Sequence, residues 1–342
     1  MERKKFIQQS AALAGLSFLP KIKPVPLDDS RQDVIIPPYL KAGDTIGITS
    51  PSGYFKTEEL NEATRQIQRW GFNIKIGKTI GKRDGNMGGT DEARAADFQQ
   101  MLDDPAVKAI MCARGGYGVV RIIDKIDFAR FRKNPKWIIG FSDITVFHMH
   151  IAANYRVATL HSKMCNSFPL NFLSLPVIQQ AAINSIGEAL QGNSKMKYTV
   201  SYNDHNRLGT AEGRIIGGNL CMIETLSGTV SQIKTDNKIL FVEDTDEYLY
   251  SIDRMLWNLK RNGKLDNLKG LIIGGFNIKK QRDPAEEMTQ SLYDLVLEKV
   301  KDFDFPVCFG FPVGHQVANF ALKCNVQHRL SVTDTGTVLE EI

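Results

Sequence analysis

Between residues 33 and 165 short apolar runs alternate with stretches of helical periodicity, and this alternation restricts the fold more than any other feature of the chain. Thr45-Ile46-Gly47-Ile48-Thr49 reads as a buried strand. After the Pro51-Ser52-Gly53 turn, Thr57 is placed to cap a helix whose Leu60, Ala63, Ile67 and Trp70 share one face and which Gly71 ends. Phe72 to Ile76 is the next strand, and Thr90 caps a helix from Asp91 to Leu102 with acids in its first turn. Lys108 to Cys112 is a strand, Val119 to Ile126 a short helix, and Trp137-Ile138-Ile139 a strand followed by a helix through Asn154. Val157 to Leu160 closes the series. Strands separated by helices predict an α/β fold built on a parallel sheet covered on both faces.

A chain of 342 residues exceeds what one core usually fills, so a second domain is expected. The stretch 166–207 reads as a linker region that carries a helix from Pro176 to Leu190 and then a polar run. The second domain, 208–342, opens on Gly213 to Asn219, with Gly217-Gly218-Asn219 as a tight turn. It continues through the strand Ile239 to Val242, a helix carrying Leu249, Ile252, Leu256 and Leu259, and the strand Leu271 to Ile273.

The formal net charge of +5 is concentrated in residues 1–26, where Arg3, Lys4, Lys5, Lys21 and Lys23 stand against only Glu2, and the body is close to neutral. A nucleic-acid partner is therefore not expected. The basic residues followed by the apolar run Ala11 to Leu19 form a signal-like leader, too short for a membrane span. It predicts export, to the periplasm; a leader that is not a working signal would leave the protein in the cytoplasm. Five widely spaced cysteines, with no CxxC pair, make neither a zinc signature nor a disulfide framework.

Chemistry-bearing residues gather at strand ends. Trp137 to Thr145 runs from an apolar strand through Gly140-Phe141-Ser142 straight into a helix, which fits a nucleophile elbow at Ser142 and equally fits Ser142 as a helix cap. Among the six histidines, His148 and His150 sit on an apolar helix, whereas His315 lies in a loop after an apolar strand. Glu243, after Phe241-Val242, is either the acid of a triad or a solvated loop acid. The loop Ala113 to Gly118 has three glycines that expose N–H groups, suited to an oxyanion or a phosphate, but it lacks the spacing of a dinucleotide or Walker motif.

Taken together, Arg-Gly-Gly-Tyr-Gly at 114–118, Gly-Phe-Ser-Asp at 140–143, Glu-Gly-x-x-x-Gly-Gly-Asn-Leu at 212–220, Val-Glu-Asp at 242–244 with Asp253-Arg254 downstream, and Gly314-His315 resemble the LD-carboxypeptidase family of serine peptidases, from about residue 38 to 333. The resemblance implies a Rossmann-like N-terminal domain supplying Ser142 as nucleophile and a smaller β-rich α/β domain supplying Glu243 and His315. It implies an oxyanion hole from the backbone N–H groups of Gly116 and Asp143. It implies a murein tetrapeptide substrate that loses its terminal D-alanine, with no metal and no organic cofactor. Relatives are often homodimers, though this sequence carries no interface signature. The same resemblance includes a microcin-immunity branch that cleaves a peptidyl-nucleotide amide, and a non-catalytic murein-peptide binder is the alternative outside catalysis. His161-Ser162-Lys163-Met164 stands where relatives often have a Gly-Pro turn, so the local substrate wall is expected to differ.

Overall fold

A computed structural model describes residues 33–169 and 171–342; the signal-like leader lies outside the described residues. Two sheets organise Val34–Ile342, which forms one compact unit.

The first sheet comes from the alternating segment. Its strands are β1 (Thr45–Thr49), β2 (Asn73–Ile76), β3 (Val107–Cys112), β4 (Trp137–Gly140) and β5 (Thr159–His161), in the order β5-β4-β3-β1-β2 and all parallel. The order reverses between β1 and β3, the place where doubly wound sheets open a crevice at their carboxyl ends. One face is covered by α1 (Leu60–Arg69), which buries Leu60, Ala63 and Ile67, and by α4 (Val177–Gln191). The other face is covered by α2 (Asp91–Asp103) and α3 (Thr145–Asn154). Thr90 caps α2 as its spacing predicts, accepting from the Ala93 N–H at 3.2 Å. At α1 the cap position falls on Glu59, and Thr57 instead opens a 3-10 turn, Thr57–Glu59, whose own cap position is Lys56. The expected helix from Val119 to Ile126 is two separate 3-10 turns, Val119–Arg121 and Ile123–Lys125. Its i, i+3 apolar spacing suits a 3-10 turn as well as an α-turn.

The second sheet holds β6 (Lys197–Ser201), β7 (Gly209–Asn219), β8 (Lys238–Tyr248), β9 (Gly270–Lys279), β10 (Val307–Gly314), β12 (Gln327–Thr333) and β13 (Gly336–Glu341), ordered β10-β9-β8-β7-β12-β13-β6. β7 to β10 run parallel, with α5 (Leu220–Thr225), α6 (Leu249–Arg261) and α7 (Leu292–Val300) as connections; β12, β13 and β6 add antiparallel strands. The stretch 166–207 divides between the halves: α4 packs on the first sheet, and β6 is the last strand of the second. A short strand from the far end of the chain, β11 (Leu322–Cys324), pairs antiparallel with β5 and completes the first sheet.

The halves share a core. One apolar cluster runs from Phe98 and Phe147, whose rings stack at 4.3 Å, through Ile216 and Leu220 to Val242 and Ile273. The Gly217-Gly218-Asn219 segment explains the close approach. It is not a tight turn: it is the end of β7, in register with Phe241, Val242 and Glu243. A Cβ on Gly218 would lie 2.5 Å from Thr145 Oγ1, so only glycine lets this strand lie on α3.

Candidate active site

β4 is buried along its whole length and ends at Gly140; two residues later Ser142 adopts φ +63°, a left-handed conformation that a serine holds only when its surroundings impose it. Ser142 begins a 3-10 turn, Ser142–Ile144, that continues into α3. The capping role for Ser142 is not what the structure contains: Phe141 occupies the cap position, and no side chain caps the turn. The first N–H groups of a helix lack partners within it, so the N–H of Asp143 stands where a developing negative charge is favoured.

The second half delivers a histidine and an acid to the same place. His315 follows β10 directly, and its Nδ1 donates to Glu243 Oε2 at 2.6 Å. Glu243 is not a solvated loop acid: it lies inside β8 and is 0% exposed, with Oε1 free of partners. Gly314 makes the contact possible, because a Cβ there would sit 2.4 Å from Glu243 Cβ, at φ +95°. Burial disfavours the imidazolium of His315, but the Glu243 hydrogen bond and charge override it and hold the pKa above the ordinary histidine value. With Nδ1 engaged, Nε2 is the nitrogen left to exchange a proton. The His315 ring packs on Phe141 at 4.9 Å, next to Ser142 in the chain; Ser142 and His315 themselves make no direct hydrogen bond.

The glycine loop after β3 closes the other side. A Cβ on Gly115 would lie 2.9 Å from Ser142 Cβ, so this backbone passes against the serine. The next N–H, that of Gly116, makes no hydrogen bond among the described residues. The loop is pinned from behind by two groups the sequence did not signal. The Asp143 carboxylate accepts from Ser52 Oγ (2.6 Å) and from the Val119 N–H (2.9 Å), while burial pushes its pKa up. Arg94, 0% exposed, donates to the carbonyls of Gly89 (3.1 Å), Pro51 and Gly118 (2.9 Å).

Asn219 ties the acid strand to the elbow helix. Its N–H donates to Thr145 Oγ1 at 3.0 Å, its Nδ2 to Asp244 Oδ1 at 2.8 Å, and its Oδ1 caps α5 through the Met222 N–H. Asp244, beside Glu243, has its pKa pushed up to about 6 by burial.

The other histidines have different surroundings. His148 is wedged between Gly140 O and Thr159 Oγ1, both at 2.8 Å, and burial lowers its pKa to about 4, so it braces the elbow as a neutral ring. His150 meets Ser231, His205 stacks on Tyr293 and His328 bonds Val326 O. Among the described residues only His315 pairs with a carboxylate. No group of three or more His, Cys, Asp or Glu among them is arranged to hold a metal ion, all five cysteines are free, and no described helix is long and apolar enough to cross a membrane.

Comparison with known proteins gives a consistent result. Residues 46–162 match the LD-carboxypeptidase N-terminal domain and residues 212–330 the LD-carboxypeptidase C-terminal domain. The chain is 32% identical over 308 residues to the probable murein peptide carboxypeptidase of Bacillus subtilis (strain 168), covering 89% of this chain and 94% of that one. It is 27% identical to the microcin C7 self-immunity protein of Escherichia coli, over 84% of this chain and 90% of the relative. The crystal structure of muramoyltetrapeptide carboxypeptidase from Oxalobacter formigenes superposes with a TM-score of 0.77 at 27% identity, covering 87% of this chain and 98% of that one.

Proposed function

The chain belongs to the LD-carboxypeptidase family and is a serine-type carboxypeptidase, and from that premise we propose that it releases the terminal D-alanine of murein tetrapeptides by hydrolysing the bond to the preceding L-centre. Ser142 Oγ attacks the scissile carbonyl while His315 Nε2 takes its proton. Glu243 fixes the ring through Nδ1 and stabilises the imidazolium, which then protonates the leaving amine. Water, activated by the same imidazole, releases the tripeptide from the acyl-enzyme. The N–H groups of Gly116 and Asp143 receive the oxyanion, each worth about 3 kcal/mol in the transition state. No metal or organic cofactor enters this scheme.

The observation that carries the proposal is the pairing of two features that have no structural need of each other: a serine held at φ +63° at a helix start, and beside it a histidine oriented by a buried glutamate. The test is D-alanine release from a purified muramoyl tetrapeptide. Release by the wild type and none by Ser142→Ala supports the scheme; a folded wild type that releases nothing overturns it.

A peptidyl-nucleotide amide is the competing substrate. Tyr250, stacked on Tyr248 at 5.5 Å just after β8, is 44% exposed and offers an outer ring face of the kind a nucleobase stacks on. Cleavage of a peptidyl-adenylate analogue in preference to the tetrapeptide would transfer the proposal to that class. We place the enzyme outside the cytoplasm on the strength of its leader; detection of the chain in a periplasmic fraction checks this.

A further inference from the structure

The segment after β5 carries a charge that the fold does not use. Lys163 is 6% exposed, and among the described residues its ammonium has neither a hydrogen-bond partner nor a carboxylate neighbour; burial alone lowers its pKa, to about 8. Other buried lysines in this protein are treated differently. Lys299 meets Asp253 and Glu298, Lys323 meets Glu341 at 3.0 Å and Tyr39, and Lys136 donates to the carbonyls of Met101 and Asp104. The Nζ touches solvent only at the mouth of its pocket, so the charge is poorly hydrated and has no counter-ion, and such groups mark places where a ligand supplies the missing charge.

Its place is beside the nucleophile. The Ser162 N–H donates to Gly140 O at 3.1 Å and the Asn166 N–H to Ala113 O at 3.0 Å, so residues 162–166 are fastened between the elbow strand and the glycine loop. Met164, the next residue, brings its Cε within 3.4 Å of the position a Cβ on Gly115 would take, and that position is 2.9 Å from Ser142 Cβ. A carboxypeptidase must recognise a chain end. The carboxylate of the departing residue is two bonds from the scissile nitrogen, so it lies about one residue length, roughly 4 Å, from the attacked carbonyl, and its receptor has to lie one hydrogen bond, about 3 Å, beyond that.

We propose that Lys163 is the receptor for the free terminal carboxylate of the substrate, the group that makes this site an exopeptidase. The proposal rests on the carboxypeptidase scheme above and adds the residue that reads the chain end. The ammonium gains its counter-ion only when the D-residue is bound, and the scissile carbonyl is thereby registered over Ser142.

The test compares a muramoyl tetrapeptide ending in D-alanine with the same peptide ending in D-alaninamide, using wild type, Lys163→Met and Lys163→Gln. Wild type should favour the acid, and either variant should lose at least about 30-fold in kcat/KM on the acid, chiefly through KM, while the amide changes by less than about threefold. A variant that keeps the acid preference, or loses both substrates alike, overturns the proposal. So does a loss seen with a diaminopimelate but not a lysine third residue, which would assign the ammonium to that side-chain carboxylate. Binding separates this question from turnover. N-acetyl-D-alanine, but not its amide, should raise the melting temperature of Ser142→Ala by about 2 °C at saturating ligand and leave Ser142→Ala/Lys163→Met unmoved. Equal shifts in both, or none in either, overturn the proposal even if wild type cleaves neither peptide. Unliganded Lys163→Met should melt no lower than wild type, since it removes an uncompensated charge; a lower value points to a structural role.

Discussion

The backbone N–H of Asn219 donates to the hydroxyl of Thr145 at 3.0 Å, joining the end of the strand that lies beside Glu243 to the first residue of the helix that follows Ser142. Ser142 and Glu243 are thus held by a direct bond between the two halves and by a shared apolar core. The geometry on which the proposed mechanism rests is built into the folded state.

Ser142→Gly should raise stability while abolishing turnover. Glycine adopts φ +63° without the penalty a serine carries, so the variant should gain about 1 kcal/mol in chemical unfolding. D-alanine release should fall by at least about 10⁴-fold. A destabilised variant would mean that the serine makes native contacts that outweigh its strained backbone.

The acid limb of kcat/KM should lie above pH 6.5. Catalysis needs neutral His315, whose pKa is held above the ordinary value, so activity is lost as pH falls through that raised value and is full above it. Glu243→Gln removes the carboxylate that overrides burial, so its acid limb should move to lower pH as kcat drops. A pH profile of each variant decides the matter.

Gly314→Ala should damage catalysis at a position remote in sequence from the serine. The new Cβ would occupy space 2.4 Å from Glu243 Cβ, and alanine is strained at φ +95°. Displacing His315 or Glu243 by even about 1 Å should cost on the order of 100-fold in kcat. A parallel fall in kcat and in Ser142 acylation by a small serine-directed probe, with the unfolding transition intact, would locate the damage in the histidine–glutamate pair that activates the serine.

Arg94→Met should loosen the loop that carries Gly116. The substitution strands the carbonyls of Gly89, Pro51 and Gly118 and leaves Asp91 without its buried partner, a loss of about 3 kcal/mol in unfolding free energy. Because the loop borders the oxyanion position, kcat should fall more than KM rises. Steady-state kinetics and denaturant titration on the same sample test both parts.

Much of this was legible in the chain. The parallel sheet followed from periodicity, and the Gly-Phe-Ser-Asp run signalled the elbow because a strand passing into a helix across one residue leaves few backbone paths. Other features were not legible, for physical reasons. Gly217-Gly218 looks like a turn, because glycine marks both a sharp bend and a close approach, and only the neighbouring helix distinguishes them. Glu243 sits where strand and loop acids are written alike; its burial comes from β9, β10 and Gly314, all far along the chain. Arg94 is one basic residue in an ordinary amphipathic helix until Pro51 and Gly118 fold over it. Lys163 reads only as part of an altered substrate wall until the strand before it and the loop after it are both fastened at Ser142.

The strand Leu322–Cys324 has a bearing on how the protein is made. It pairs with His161, Leu160 and Thr159, so the first sheet keeps an open edge at β5 until about 160 further residues have left the ribosome. Ser142 emerges early and His315 late, so a nascent chain carries the proposed nucleophile without its proposed base. Synthesis from the amino end therefore delays the proposed hydrolytic competence until His315 and the Leu322–Cys324 strand have emerged, and the unpaired β5 edge is the surface a chaperone would have to shield until then.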